Sequence, residues 1–237
     1  MQIQGMDTAT KKETFTTETD ANGNFEFEGH HGWQLGVVVK KEGYEVGQGN
    51  GVYEAPNKED VTNPTERAVF HMWKLQGSEP MTSTRITSLL PFDGTAMSFD
   101  LLTGARSPGG GDITVKYKRD AANVTGGKPF NWSITFEMTN GGLVEETDAY
   151  PNEAPAEGYQ PSVSFDMPAN ASNWSASLSR SFYFKGRGGQ DYGRMNVTLT
   201  LGGGRQPAPV LLNALVYTNP AGSRNLEYDS NLRAQAQ

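Results

Sequence analysis

The chain has 237 residues, among them 28 glycines, 13 prolines and no cysteine, and a net charge of −7. Absent thiols exclude disulfides, thiolate zinc sites and a cysteine nucleophile. The acidic balance argues against a nucleic-acid partner, which needs a basic face to displace counterions. Glycine, proline, serine and threonine without long apolar runs point to short strands and turns, with no membrane insertion.

Residues 1–13 are polar and expected to be loose. Met1 to Asn24 has no apolar core of a signal peptide. Thr14–Thr19 reads as a strand and Asp20-Ala21-Asn22-Gly23 as a turn. Phe25 and Phe27 alternate with Glu26 and Glu28, and Leu35, Val37 and Val39 alternate in a third strand. His30 and His31 are adjacent, so in an extended segment they point to opposite faces and share no metal. Gln48–Pro64 is an aperiodic loop. Ala68–Trp73 returns to strand, apolar on both faces, which sets His71 in a core.

Thr19-Asp20-Ala21-Asn22-Gly23, with Phe25 following, and then Lys41-Glu42-Gly43-Tyr44, resemble the carboxypeptidase regulatory-like domain over about residues 14–75. That resemblance implies a small transthyretin-like β-sandwich in which Gly23 makes the turn and Tyr44 packs at a corner. The family's opening strands are missing, as is its secretion signal. The native context implied is secreted or periplasmic. A sandwich lacking those strands leaves an edge unpaired near Thr14, to be covered by the second domain or by another copy in a homo-oligomer.

The boundary falls near residue 78, giving a partial sandwich over 1–78 and a second domain over 79–237. Strands are expected at Thr84–Leu90, Met97–Leu102, Asp112–Lys118, Phe130–Glu137, Gln160–Met167, Trp174–Lys185, Tyr192–Leu201 and Pro209–Tyr217. The fold class is therefore all-β, a truncated transthyretin-like sandwich followed by a larger β-sandwich or jelly roll. In that architecture alone the chain resembles bacterial proteins that join a regulatory-like domain to a sandwich. The tail past Tyr228 is expected to fray.

The densest set of ligand-capable side chains lies within Trp174–Leu201. Met195, Val197, Leu199 and Leu201 alternate with polar residues and are expected in the core. Gly186-Arg187-Gly188-Gly189 reverses the chain. Tyr183, Arg187, Asp191, Tyr192 and Arg194 then gather at the hairpin end. They form either a solvated tip with one structural Arg–Asp pair or a rim for a polar ligand. Tyrosine rings stack on sugar faces, and the charged groups bond hydroxyls.

Other chemistry finds less support. Glu145, Glu146 and Asp148 read as a solvated acidic loop, with a structural calcium site as the alternative; no other cofactor is implied. Gly109-Gly110-Gly111 lacks a following Lys-Ser/Thr, and Gly126-Gly127-Lys128 runs into Pro129, so neither is a phosphate loop. Glu137, Glu145, Glu146, Asp148, Asp93, Asp100 and Asp191 leave hydrolysis by a carboxylate pair open. The leading expectation is a non-catalytic, extracellular-type binding protein for a polysaccharide or cell-surface glycan. One alternative is a hydrolase or lyase using Tyr192 as acid/base with Arg194 neutralising a carboxylate. Another is an adhesion module that self-associates through the Thr14 edge.

Overall fold

The computed structural model describes residues 2–7, 13–26, 35–46, 69–120, 128–201 and 210–234. These residues form fourteen strands and no helix, so the chain is all-β. It divides into two compact units, Met1–Gly77 and Ser78–Gln237.

In the first unit, β1 (Gln2–Asp7) lies between β2 (Glu13–Glu18) and β3 (Leu35–Lys40), antiparallel to both. The segment expected to be loose is thus the centre of a sheet. Cross-strand pairing decides strand formation more than local propensity does, and the polar β1 sequence carries little signal of its own. It also means that β2 is paired along one side, so only its other side is an edge. A second ladder joins β4 (Tyr44–Val46) to β5 (Met72–Lys74). Val37 and Val39 are buried, with Phe25, Val46, Phe70 and Met72 packed on them. The expected turn is present: Asp20 Oδ1 accepts the N–H groups of Asn22 and Asn24 at 2.9 and 2.8 Å, and Gly23 has φ +83°. Phe25 leaves that turn without joining a strand, and Phe27, His30 and His31 lie outside the described residues. His71 is exposed rather than in the core, because Phe70 and Met72 take the inward phase.

In the second unit, all eight expected strands are present with shifted ends. They are β6 (Thr82–Leu90), β7 (Met97–Phe99), β8 (Ile113–Arg119), β9 (Trp132–Met138), β11 (Ser162–Met167), β12 (Ser177–Gly186), β13 (Asp191–Leu201) and β14 (Val210–Asn219). One more, β10 (Gly142–Glu145), is too short to show a period. A five-stranded sheet of order β10-β12-β13-β14-β6 faces a four-stranded sheet of order β11-β9-β8-β7. Their inward residues make one core: Val115, Tyr117, Ile134 and Phe136 from one sheet, and Phe182, Phe184, Met195, Val197, Leu199 and Leu212 from the other. Phe136 and Phe182 meet across it at 5.7 Å between ring centroids. Each such side chain contributes about 2 kcal/mol by leaving water.

The described tail, to residue 234, is docked rather than frayed. Leu226 is fully buried and its N–H bonds the Asn152 carbonyl at 2.8 Å, while the Ala234 N–H reaches Met81 O at 3.0 Å. Asn219 Nδ2 donates to Glu79 Oε2 and to the Asn225 carbonyl, both at 2.9 Å.

Candidate functional site

Residues 187–190 join β12 to β13. Arg187 has φ +49°, a left-handed conformation that costs an ordinary residue about 1 kcal/mol. Its guanidinium explains why it is tolerated there. Nε and Nη2 donate to the two oxygens of Asp112 at 3.0 and 3.1 Å, and Nη2 also donates to Asp100 Oδ2 at 3.1 Å. Asp191 Oδ2 lies 3.4 Å from Nε. Asp112 precedes β8 and Asp100 follows β7, so the hairpin turn of one sheet is bolted to the other sheet. The hydrogen bonds it donates to Asp112 hold the Arg187 pKa above its ordinary value. Burial pushes the Asp191 carboxyl up; Arg187 opposes that, and Asp112 and Asp100 add to it. Asp100 ends below its ordinary value: burial raises it, but hydrogen bonds from Thr103 and Leu102 and the Arg187 charge outweigh burial.

This corrects the expectation of a solvated tip with one Arg–Asp pair, and it takes Arg187 and Asp191 out of the rim expected as the alternative. Arg187 serves three carboxylates, and Asp191 is only 7% exposed. Asp100 and Asp112, distant in sequence, had no periodic signal to link them to the turn. Three acids do converge here, but on a guanidinium.

Tyr183, Tyr192 and Arg194 lie on the outer face of the five-stranded sheet. Register puts Val144, Tyr183, Arg194, Tyr217 and Ser83 in one row, with Lys185, Tyr192 and Asn219 in the next. Tyr183 and Lys185 alternate with Phe182 and Phe184, which gives Tyr183 the outward phase, yet it is 2% exposed. It belongs to a small second core with Met81, Ala154 and Leu226, against which Val144, Tyr159, Tyr192, Tyr217 and Tyr228 pack. The layer that covers it comes from the β10–β11 connection and the tail, neither of which has strand periodicity.

The polar groups of this face are interlocked. Tyr183 Oη donates to Asp148 Oδ2 at 2.7 Å. Burial raises the Tyr183 pKa, and the bond to Asp148 raises it further, so the phenol stays protonated. Arg194 Cζ sits 5.0 Å from the Tyr217 ring centroid, and its Nε is buried with no hydrogen-bond partner. Lys185 Nζ lies 5.6 Å from the Tyr192 centroid, and Tyr159 meets Tyr192 edge-on at 6.2 Å. Tyr192, Tyr159, Tyr217 and Lys185 are half-buried, and Asp148 is exposed. Tyr192, Arg194, Lys185 and Tyr159 are all within reach of the sequence reading; Tyr217, on β14, completes the surface.

Burial raises the Glu146 pKa above 4.5; Arg194 opposes that shift and Asp148 reinforces it. The folded chain therefore holds this proton more tightly than the unfolded chain. The resulting stabilisation is present in acid and is lost as pH rises from 4.5 through the folded-state value. In Glu146→Gln, that part of the decline in stability is expected to disappear from denaturant melts taken across this window. An unchanged pH slope would exclude Glu146 as its source.

The three acids weighed as a calcium site have other partners: Glu145 Oε1 pairs with Arg180 Nε at 3.2 Å, Asp148 accepts the Tyr183 hydroxyl, and Glu146 feels the Arg194 charge and accepts the Asp148 backbone N–H. Among the described residues no group of three or more His, Asp or Glu is placed to hold a metal ion. Candidate hydrolytic carboxylates are likewise engaged, Glu137 by Lys116 at 2.7 Å and Asp93 by the Thr95 N–H at 2.9 Å. A shallow depression of about 280 Å³ runs over β8, β9 and β11, bordered by Lys118, Ser133 and Asp166. Among the described residues no helix is long and apolar enough to cross a membrane. Compared with family models, curated proteins and solved structures, the chain matches none.

Proposed function

We propose that the second unit is a non-catalytic binding module for a polysaccharide or cell-surface glycan, held on the tyrosine face of the five-stranded sheet. The observation that carries this reading is the half-buried set Tyr159, Tyr192 and Tyr217, fixed by ring contacts and flanked by Lys185, Arg194 and Asp148. Rings held in place stack on sugar faces at little entropic cost, and the flanking charges bond hydroxyls. The Thr19–Phe25 and Lys41–Tyr44 motifs support the matching reading of the first unit as a carboxypeptidase regulatory-like domain of a secreted or periplasmic protein.

The test is a glycan array followed by calorimetry on the best binder. Tyr192→Ala is expected to weaken binding about tenfold, since one stacked ring is worth about 1–1.5 kcal/mol. Leu89→Ser, an exposed change on β6, leaves it unaltered. An array with no binders, or equal affinity in Tyr192→Ala, would sink the proposal.

A further inference from the structure

Arg119 ends β8, at the far end of that strand from Asp112 and the Arg187 turn. Strand alternation carries it, after Ile113, Val115 and Tyr117, onto the inward face. It is 6% exposed, and its Nε, Nη1 and Nη2 are all buried with no hydrogen-bond partner. The Tyr117 hydroxyl, two positions back, is buried and unpartnered as well. Burial pushes its pKa up to about 12, and the Arg119 charge opposes that shift. Around the guanidinium are rings: Cζ lies 4.7 Å from the Phe92 centroid and 5.9 Å from that of Phe130. Trp174 packs edge-on against Phe130 at 5.3 Å.

The rings offset part of the desolvation cost of the cation, but they leave its N–H donors unused. The acids next in sequence to Arg119 and to Phe92 are committed elsewhere. Asp120 accepts both the backbone and the side-chain N–H of Asn131, and Asp93 accepts the Thr95 N–H. Buried charges in proteins are as a rule paired, because an unpaired one forfeits its hydration without return. A fully buried guanidinium beside a fully buried phenol, both without partners, is the arrangement of a site prepared for an anion.

We propose that Arg119 and Tyr117 form an internal anion site at this end of the sandwich, and that its ligand carries a carboxylate. A carboxylate accepts two parallel bonds from the guanidinium edge and one from the phenol. Phe92, Phe130 and Trp174 would wall an apolar substituent, which favours an aryl or alkyl carboxylate over a bare ion.

The full chain is melted in sodium acetate, sodium benzoate and sodium chloride at matched ionic strength. The melting point is expected to rise with the logarithm of acetate concentration above an onset near the dissociation constant, to begin rising at lower concentration with benzoate, and to stay flat with chloride. Arg119→Met abolishes the rise. Arg119→Lys, which keeps the charge without the fork, moves the onset at least tenfold higher. Three superimposable salt curves for the wild type overturn the proposal, as does a rise that survives in Arg119→Met. Should Arg119→Met not fold, an unchanged onset in Arg119→Lys overturns it.

Discussion

Replacing Arg187 by alanine is expected to destabilise the second unit by about 2–4 kcal/mol at neutral pH. Removing one member of a buried ion cluster typically costs about 3–5 kcal/mol, because the partners are left charged and dry. Arg187 is 32% exposed, so solvent screening reduces the figure. What remains is Asp112 and Asp191, with side chains 14% and 9% exposed, beside the more open Asp100. Their mutual repulsion then has no counter-charge. Burial already raises the Asp191 carboxyl, and without the opposing Arg187 charge it binds its proton still more tightly when folded than when unfolded. The penalty is therefore present above the folded Asp191 pKa and fades as pH falls toward the ordinary carboxylate range, near about 4. Urea unfolding of both proteins from about pH 7 down to about pH 4.5 should show the gap closing. A gap that stays constant with pH, or one under about 1 kcal/mol at neutrality, would mean that the cluster does not brace the turn. Arg187→Lys is expected to lose about half as much, since one ammonium cannot engage Asp112 bidentately.

Gly193→Ala is expected to cost about 3 kcal/mol or more, for a purely steric reason. Gly193 sits in the middle strand β13, between Phe184 of β12 and Thr218 of β14. A methyl group there would overlap the Phe184 ring and the Tyr217 carbonyl oxygen. The ring is part of the core, and the carbonyl belongs to the backbone of the adjacent strand. Neither can retreat without opening packing or ladder. Gly186→Ala is the matched comparison: its methyl group would meet Asp191 Cβ and Met138 Cε at 3.9 Å, ordinary contact distances. That substitution should change stability by less than about 1 kcal/mol. If the two variants unfold at the same urea concentration, the close packing of β13 against its neighbours is wrong.

The fold was largely legible because strands with one buried face write a period of two. Met195, Val197 and Leu199 are buried as their alternation required, and Ile113, Val115 and Tyr117 behave likewise. Where the period was short or absent, the reading failed. β10 has four residues, and β1 carries only Ile3 and Met6 as sizeable apolar side chains, so pairing rather than pattern creates both. The candidate site shows the same limit. Alternation put Tyr183 on the outer face correctly, but outer does not mean exposed once an irregular segment packs over it. Asp191 was correctly associated with Arg187. The other two acids of that cluster come from connections 75 and 87 residues away, a separation that no local pattern encodes.

The pairing of β6 with β14 has a consequence for how the second unit comes into being. Thr87 of β6 bonds Asn213 of β14 across a sequence separation of 126 residues. During synthesis β6 emerges first among these strands and then waits, its ladder groups open, until nearly the whole domain has left the ribosome. At about 5–20 residues per second that wait lasts on the order of ten seconds. Closing so large a loop is entropically slow, so β6 joins the consecutive β12–β13–β14 ladders late. The last strand is thus the step that commits the domain. A chain released before β14 would retain β6 as a bare strand with an apolar flank, a template for association between nascent copies.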